Sequence, residues 1–394
     1  MATRVLYRGA ALTDARSDRL RLGVSILVDE HVISWIRPAD GEEDPGDAQI
    51  VDASGATIVP GMVDAHSHVT GPGGANWIER FSDPAERLVD VAEANGALAH
   101  AAGIRWLRDV GSPIGVDPFD GRERALALGV SDRWAGRRDR PYLRAAGAWV
   151  MRAGTIANLA TAEASNGDEL LAASLRQLDD GADFIKLYLD GPDPETAPWT
   201  IAEVAAVVEA AHAQKARVTA HAGRLNGAQV AVEGGVDAIE HGFELDAALA
   251  MRMAERGTRV VSTLAVMHSW LSFGQTTSLP RFAEEEGRTR ILERLERARE
   301  SVRLAAGAGV AIAAGTDFGG GSLRANQLAW EAGSMVEAGL QPWEALAAAT
   351  WRGGELLGET EAGVIREGGP ADFFLVHGDP LSDPAALWRV WRVA

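Results

Sequence analysis

The sequence predicts an α/β protein in which a (β/α)₈ TIM barrel carries a composite β-sandwich domain built from both termini. The chain has 394 residues, which is long for one ordinary domain but suits a barrel with a smaller companion. Residues 1–57 and 360–394 consist of short strand-like runs separated by turn residues. Residues 58–359 alternate short apolar runs with Ala-rich helical segments, a pattern typical of parallel strands joined by helices. We therefore expect the domains 1–57 plus 360–394 and 58–359.

Eight apolar runs within the middle segment are candidate strands. Eight strand–helix repeats favour a closed barrel over an open sheet. Catalytic groups of such barrels lie at the carboxyl ends of the strands, so these ends are where chemistry is expected. The candidate strands are residues 62–68, 104–110, 142–150, 183–189, 217–221, 236–241, 259–264 and 310–316.

Composition excludes several classes of function. The 56 acidic residues exceed the 38 basic ones, and the net charge of −18 disfavours nucleic acid and anionic membranes as partners. The absence of cysteine excludes disulfides, thiolate ligands and a cysteine nucleophile. The first residues lack the apolar core of a signal peptide, and no run reaches the roughly 18 apolar residues of a membrane span. We expect a cytoplasmic protein with a small-molecule substrate. Both a monomer and a homo-oligomer are compatible with the sequence.

The first candidate ligands are His66 and His68. Residues two apart on a strand point to the same face, so both imidazoles can reach one metal ion. A surface position without function is the alternative for an isolated His-x-His pair. The apolar run at residues 60–63 instead predicts a buried strand, where paired imidazoles need partners.

Lys186 lies inside the otherwise apolar run at residues 184–189. A buried ammonium costs several kcal/mol unless it is paired or becomes neutral. A neutral lysine can react with CO₂ to form a carbamate, which can bridge two metal ions. A lysine that forms a salt bridge across the barrel is the alternative.

Three further polar residues end candidate strands: His221, His241 and Asp317. Either histidine alone is compatible with a hydrogen-bonded core residue, but their matching positions on consecutive strands favour metal binding. Asp317 is either a helix N-cap or a site carboxylate that takes a proton from metal-activated water. The shared strand-end position predicts that these residues converge with the first histidine pair and Lys186.

Several stretches of this chain resemble the amidohydrolase superfamily. The set is similar to the branch that contains imidazolonepropionase-like proteins and binuclear Xaa-Pro dipeptidases. The resemblance spans nearly the whole chain and includes residues beyond the candidate ligands. The matching stretches are residues 60–68, 101–111, 181–186, 220–222, 239–242, 315–317, 337–350 and 370–380.

The resemblance implies a binuclear metal-dependent hydrolase that cleaves an amide or related C–N bond through a metal-bridging hydroxide. Two divalent ions, usually zinc, are implied, together with a CO₂-derived carbamate on Lys186 and Asp317 as the proton shuttle. The implied ligands of one ion are His66, His68, carboxylated Lys186 and Asp317, and those of the other are His221 and His241.

Two departures from relatives and two alternatives bear on the activity. The region 148–155 lacks the histidine of the Gly-Gly-His element that related dipeptidases carry, which disfavours dipeptidase activity. His221 is followed by Ala222-Gly223-Arg224 rather than by an early glutamate, which disfavours deamination. Lactone, carbamate or ring-opening hydrolysis, or other non-amide metal chemistry, remains an alternative on this fold. A catalytically inactive scaffold would predict missing ligands, and none is missing.

Four residues are candidates for substrate contacts. Arg152 and Tyr188 follow or end strand-like runs and can bind or polarise a carbonyl. His268 and Trp270 lie in the long segment 265–289 after the seventh candidate strand, which we interpret as a lid. The alternative for the aromatic residues of this segment is that they only cover the barrel.

Overall fold

The protein is described from a computed structural model, which covers residues 4–42, 45–156, 159–191, 193 and 195–394. None of the helices in these ranges is long and apolar enough to cross a bilayer. The strands are β1 (Val5–Leu12), β2 (Arg21–Asp29), β3 (Val32–Pro38), β4 (Gln49–Asp52), β5 (Ala56–Pro60), β6 (Met62–Ser67), β7 (Ile104–Asp109), β8 (Ile114–Val116), β9 (Glu123–Ala125), β10 (Tyr142–Ala145), β11 (Val150–Arg152), β12 (Ala162–Ala164), β13 (Phe184–Tyr188), β14 (Arg217–Ala222), β15 (Ala238–His241), β16 (Arg259–Ser262), β17 (Ile312–Ala314), β18 (Phe373–His377) and β19 (Val390–Val393). The α-helices are α1 (Trp77–Arg80), α2 (Ala85–Ala101), α3 (Leu126–Trp134), α4 (Gly167–Asp179), α5 (Ile201–Ala213), α6 (Leu225–Gly234), α7 (Ala247–Arg256), α8 (Ala265–Ser272), α9 (Pro280–Ala283), α10 (Glu285–Gly307), α11 (Leu328–Glu337), α12 (Pro342–Ala348) and α13 (Trp351–Leu357).

One mixed sheet combines strands from both ends of the chain. Its order is β19-β18-β5-β1-β2-β3, with β4 also paired to β1. Strand β1 runs parallel to β4 and β5, whereas the other pairs are antiparallel. Strands from both ends of the chain therefore lie in one sheet.

The middle of the chain forms parallel strands that alternate with helices. Three strands form the sheet β10-β7-β6, and seven form the sheet β12-β11-β13-β14-β15-β16-β17. Along β13, Ile185 and Leu187 are fully buried in the main apolar core, and by strand alternation Lys186 points to the opposite face. The predicted α/β class is confirmed.

Backbone hydrogen bonds connect the two parallel sheets at both edges. The N–H of Asp317, just after β17, donates to the carbonyl of His66 on β6 at 2.8 Å. The N–H of Asp183, just before β13, donates to the carbonyl of Ala145 on β10 at 2.9 Å. The ladder pairs nevertheless fall into two sheets rather than one continuous closed ladder.

The expectation of one strand over residues 142–150 is wrong. The chain forms β10, then breaks, and resumes as β11. Gly147 lies in the break with φ of +79°, a left-handed conformation that interrupts extended backbone. A Cβ at this glycine would come within 2.5 Å of Gln177 Oε1, so close packing also favours glycine there.

Helix α5 illustrates how the sequence places helices outside the parallel strands. Thr200 caps its amino end and Glu203 completes a capping box. The buried residues recur at helical spacing and form one apolar stripe, Val204, Val207, Val208 and Ala211. This stripe joins the same apolar core as β13.

A buried ion pair links the mixed sheet to the parallel strands. Arg105 on β7 donates to Asp372, just before β18, through Nε at 3.0 Å and Nη2 at 2.9 Å. Both residues are buried, with 4% and 6% of their surface exposed. Removing one partner leaves the other charge buried without compensation.

We predict that Asp372→Ala lowers the free energy of unfolding by about 3–5 kcal/mol, because the Arg105 guanidinium stays buried and loses its counter-charge. Glu361→Ala is the control, since Glu361 pairs with Arg366 at the surface, where such pairs contribute about 1 kcal/mol or less. Urea unfolding measures both values. Equal losses in the two variants would show that the buried pair does not hold the sheets together.

Candidate functional site

A cavity of about 600 Å³ opens at the carboxyl ends of the parallel strands. All six residues predicted as metal ligands line it: His66, His68, Lys186, His221, His241 and Asp317. They come from β6 and the residue after it, from β13, β14 and β15, and from the segment after β17. The cavity therefore brings together residues that are up to about 250 positions apart in sequence.

The first two histidines present their Nε2 atoms to Asp317. His66 Nε2 lies 3.4 Å and His68 Nε2 lies 3.3 Å from Asp317 Oδ1. Their Nδ1 atoms form hydrogen bonds on the side away from the cavity. His66 Nδ1 lies 2.7 Å from Glu240 Oε2, and His68 Nδ1 lies 2.6 Å from the Gly111 carbonyl oxygen. These outer hydrogen bonds leave each Nε2 available for a ligand in the cavity.

The other two histidines extend this cluster. The ring centroid of His241 lies 4.6 Å from that of His66 and 4.6 Å from that of His221. His241 Nδ1 is hydrogen-bonded to Thr263 Oγ1 at 2.8 Å, and His221 Nε2 lies 3.3 Å from Asp190. Burial is the main reason why the pKa of His241 lies well below its usual range, and the neighbouring imidazoles of His221 and His66 lower it further. This imidazole is therefore neutral, which is the form that binds a metal ion.

Lys186 is 1% exposed and makes no ion pair within the part of the chain that the structure describes. Burial lowers the pKa of its amine to about 8, although the charge of Glu240 opposes this shift. The amine is therefore easier to deprotonate than a surface lysine. A neutral amine is the form that can react with CO₂.

Glu240 connects the histidine cluster to an arginine below it. Its Oε2 accepts from His66 Nδ1, and its Oε1 accepts from Arg108 Nη1 at 2.6 Å and from the Thr219 hydroxyl. Glu240 is completely buried, and burial alone would raise its pKa. Arg108 and Lys186 nevertheless hold the pKa of Glu240 well below its usual range, so the carboxylate stays charged.

Backbone conformation also marks this site. His241 and Asp317 have φ values of +74° and +56°, a left-handed region that residues other than glycine rarely adopt. Such conformations cost about 1–3 kcal/mol each and concentrate at functional sites. Tertiary packing here aims both side chains into the cavity.

The donor set suits divalent metal ions. Ligand atoms of His66, His241 and Asp317 all lie within 4.8 Å of one another. Imidazole nitrogens and carboxylate oxygens are preferred ligands of zinc and related ions. Each histidine has its other nitrogen hydrogen-bonded, as in metal sites where outer contacts orient the ligands.

The cavity above the cluster has an apolar wall and a cationic wall. Aromatic and aliphatic side chains form the apolar wall, and Trp77 stacks on Trp270 with centroids 5.9 Å apart. The cationic wall contains Arg224, Arg294 and Arg297 together with the acids Asp190 and Glu244, and neither Arg224 nor Arg294 makes an ion pair among the described residues. The apolar wall comprises Trp77, Ile78, Phe81, Trp149, Ile156, Leu159, Val266 and Trp270.

The four predicted substrate contacts divide into two groups. Tyr188 and Trp270 line the cavity. Arg152 does not line it, since its Nη1 donates to the Pro198 carbonyl at 3.1 Å and its guanidinium covers the Trp199 ring. His268 also lies outside the lining and faces Glu337 at 3.6 Å. A substrate role stays a prediction for all four.

Sequence reasoning missed Glu240, Asp190 and Arg294. Glu240 could have been found by the argument applied to Lys186, because it is a charged residue inside the apolar strand β15. Asp190 directly follows another strand end and accepts the N–H groups of Gly223 and Arg224. Arg294 had no sequence signal, because it lies among the many charged residues of α10.

We predict that Thr263→Val weakens zinc binding about 10- to 100-fold, because His241 loses the hydrogen bond that fixes its orientation. Thr258→Val is a matched control, since Thr258 is also buried and bonds only to the Val236 carbonyl. Competition with a chromogenic chelator measures both affinities. The same zinc affinity in the two variants would contradict this role of Thr263.

Comparison with known proteins supplies a family context for the site. The profile of the Amidohydrolase family matches residues 57–393. An uncharacterized protein of Mycobacterium tuberculosis is 28% identical over 383 residues, which cover 95% of this chain and 93% of that protein.

Two further similar proteins are named for their activities. Ochratoxinase of Aspergillus niger is 28% identical over 239 residues, which cover 57% of this chain and 48% of that enzyme. The crystal structure of a Xaa-Pro dipeptidase with methionine bound in its active site superimposes with a TM-score of 0.83 at 25% identity. That superposition covers 98% of this chain and 97% of the dipeptidase.

Proposed function

Because the chain belongs to the amidohydrolase family and is a hydrolytic enzyme, we propose that it hydrolyses an amide-type C–N bond of a small substrate with two divalent metal ions. The observation that carries this proposal is the convergence of four imidazoles, one buried lysine and one carboxylate in a single cavity. This donor set is compatible with a binuclear centre.

The proposed ligands divide between two ions, for which zinc is our choice. His66, His68, Asp317 and a carboxylated Lys186 would hold one ion, and His221 and His241 the other. The carbamate forms when the neutral amine of Lys186 attacks CO₂, which makes an N–C bond and releases a proton. Two bound cations would acidify water and polarise the scissile carbonyl.

The protein's own groups then provide orientation and proton transfer. Asp317 Oδ1 faces the first two imidazoles, which leaves Oδ2 to take a proton from the attacking water and pass it to the leaving nitrogen. The Trp270 indole N–H is buried without a partner among the described residues, so it can donate to a substrate carbonyl. The Tyr188 hydroxyl can donate in the same way, since burial raises its pKa and keeps it protonated.

The two walls of the cavity support a substrate with a free carboxylate and an apolar acyl part. Arg294 packs on Phe243, with its guanidinium carbon 4.8 Å from the ring centroid. The negative charges of Asp190 and Glu244 act on it, but among the described residues it has no ion-pair partner in direct contact. A substrate carboxylate would provide that partner. The methionine bound in the active site of the similar dipeptidase is likewise a molecule with a free carboxylate and an apolar side chain. We therefore propose N-acyl amino acids and related dipeptide-like amides as the substrate class.

The proposal extends to the molecule as a whole. We propose that the two parallel sheets are parts of one (β/α)₈ barrel over residues 58–359. Residues 1–57 and 360–394 would form the composite β-sandwich domain. The net charge of −18 and the absence of cysteine support a cytoplasmic enzyme without nucleic-acid or membrane partners. A homo-oligomer remains compatible with this proposal.

The carbamate can be tested cleanly because the chain has two lysines, Lys186 and Lys215. Protein reconstituted with zinc and ¹³C-bicarbonate should show one carbamate ¹³C resonance and about two equivalents of zinc. Lys186→Ala should lose the resonance, metal and activity, and a short carboxylic acid should partly restore activity by replacing the carbamate.

Lys215→Arg is the matched control, because it leaves Lys186 as the sole lysine and should retain the carbamate resonance. Wild-type activity in Lys186→Ala would mean that Lys186 is structural. A reproducible zinc content below one equivalent would exclude the binuclear centre.

The substrate class is tested by a panel of N-acyl amino acids, dipeptides, carbamates and lactones. We predict turnover of an N-acyl amino acid with a free carboxylate. Arg294→Met should raise its KM about tenfold to a hundredfold, since a hydrogen bond to a charged group contributes about 1.5–3 kcal/mol.

Arg297→Met, one helical turn away on α10, is the control, because Arg297 also lines the cavity but is largely exposed and already pairs with Glu244 at 3.6 Å. Its KM should stay near the wild-type value. Turnover of lactones alone would replace the amide assignment, and equal KM values in the two variants would exclude Arg294 as the carboxylate contact.

A further inference from the structure

A second cavity lies at the opposite ends of the parallel strands. Its volume is about 210 Å³, and its lining shares no residue with the cavity of the histidines. Phe184, Arg217 and Ala238, at the first positions of β13, β14 and β15, line it, and the end of α13 covers it. We call it the basal cavity. The complete lining is Arg108, Arg144, Asp183, Phe184, Lys215, Arg217, Val218, Asp237, Ala238, Leu356, Leu357 and Gly358.

The basal cavity concentrates positive charge in an acidic protein. Four cationic residues line it against two acidic ones, whereas the whole chain has a net charge of −18. Both acids already accept backbone N–H groups, Asp183 from Ala145 at 2.8 Å and Asp237 from Val218 at 2.7 Å. Asp183 also lies 3.7 Å from Arg144, which Glu359 pairs at 2.6 Å, and Asp237 lies 3.0 Å from His212, so both acids have contacts other than Arg217 and Lys215.

Arg217 and Lys215 form no ion pair in direct contact among the described residues. Arg217 uses Nη1 for the carbonyls of Glu355 and Leu356 at the end of α13, which leaves its Nε and Nη2. Burial and then the neighbouring Arg259 lower the pKa of Arg217, although the charge of Asp237 opposes this shift, so two like charges and one opposite charge act on the guanidinium. Lys215 is exposed at the rim and has a left-handed φ of +61°.

Arg108 forms the inner wall of the basal cavity. It is 4% exposed, and its Nη1 donates to Glu240 and to the Ala65 carbonyl. Its Nε and Nη2 make no hydrogen bond within the described ranges, while Phe184 packs on its face at 4.3 Å. These free donors face a cavity in which an acceptor can bind.

We infer that the basal cavity binds a small oxyanion of the phosphate type, held by Arg108, Arg217 and Lys215. Guanidinium groups bind such anions through paired N–H donors, and the cavity size suits a free anion rather than a larger ester. The bound anion would share Arg108 with Glu240, which is hydrogen-bonded to His66. Occupancy is therefore expected to alter the support of His66. This coupling rests on the proposed function, whereas anion binding itself does not.

The test is a calorimetric titration of inorganic phosphate into the full-length zinc-loaded protein at constant ionic strength. We expect a saturable site whose affinity falls about tenfold in Lys215→Gln and in Arg217→Gln, because each removes a charged donor. Arg294→Met, in the upper cavity, is the control and should retain the site. Lys215→Gln makes the test independent of folding, since the Lys215 side chain is exposed.

Three outcomes would overturn the inference: no saturable binding, unchanged affinity in both basal variants, or loss of binding in Arg294→Met. The coupling has a separate readout. Phosphate should lower kcat of the wild-type enzyme without competing with substrate, and Lys215→Gln should weaken this effect. Binding without any effect on kcat would refute the coupling alone, and an enzyme inactive on every amide would refute the proposed function without affecting the binding result.

Discussion

The negative charge of Glu240 is the constraint on which the rest of this site depends. A completely buried carboxylate is costly unless several partners surround it, and here His66, Thr219 and Arg108 do so. Its contact with His66 sets which nitrogen of that ring faces the cavity. Arg108 balances the negative charge of Glu240 and also lines the cavity at the amino ends of the strands. One residue thus links the chemistry at the upper cavity to the charge balance at the basal cavity.

Parallel strands explain why so many polar groups can share this small volume. Each strand is covered by helices on its outer face, and residues such as Ile185 and Leu187 pack there. The alternating residues point the other way, where Arg108 balances the buried charge of Glu240 and burial favours the neutral amine of Lys186. The left-handed conformations of His241 and Asp317 lower the stability of the folded state. Packing of the surrounding apolar core must offset this cost. Stability in the apolar layers therefore permits an unfavourable concentration of charge at the site.

Much of this arrangement could be predicted from the sequence, because charged residues that interrupt apolar strands have few structural explanations. Lys186 and the strand-end histidines were identified in this way, and the cavity contains all of them. The same reasoning would have identified Glu240. Arg294 could not be identified, since a charged residue on an amphipathic helix looks the same whether it faces solvent or a cavity. The break at Gly147 was also missed, because a left-handed turn inside an apolar run leaves the hydrophobic pattern unchanged.

Anomalous X-ray scattering can show whether two metal ions occupy the upper cavity. Crystals of zinc-loaded protein should be measured at wavelengths on either side of the zinc absorption edge. The account predicts two anomalous peaks in the upper cavity, one beside His66 and His68 and one beside His221 and His241, with continuous density from Lys186 to both. A single peak, or peaks away from these side chains with Lys186 unmodified, would contradict it.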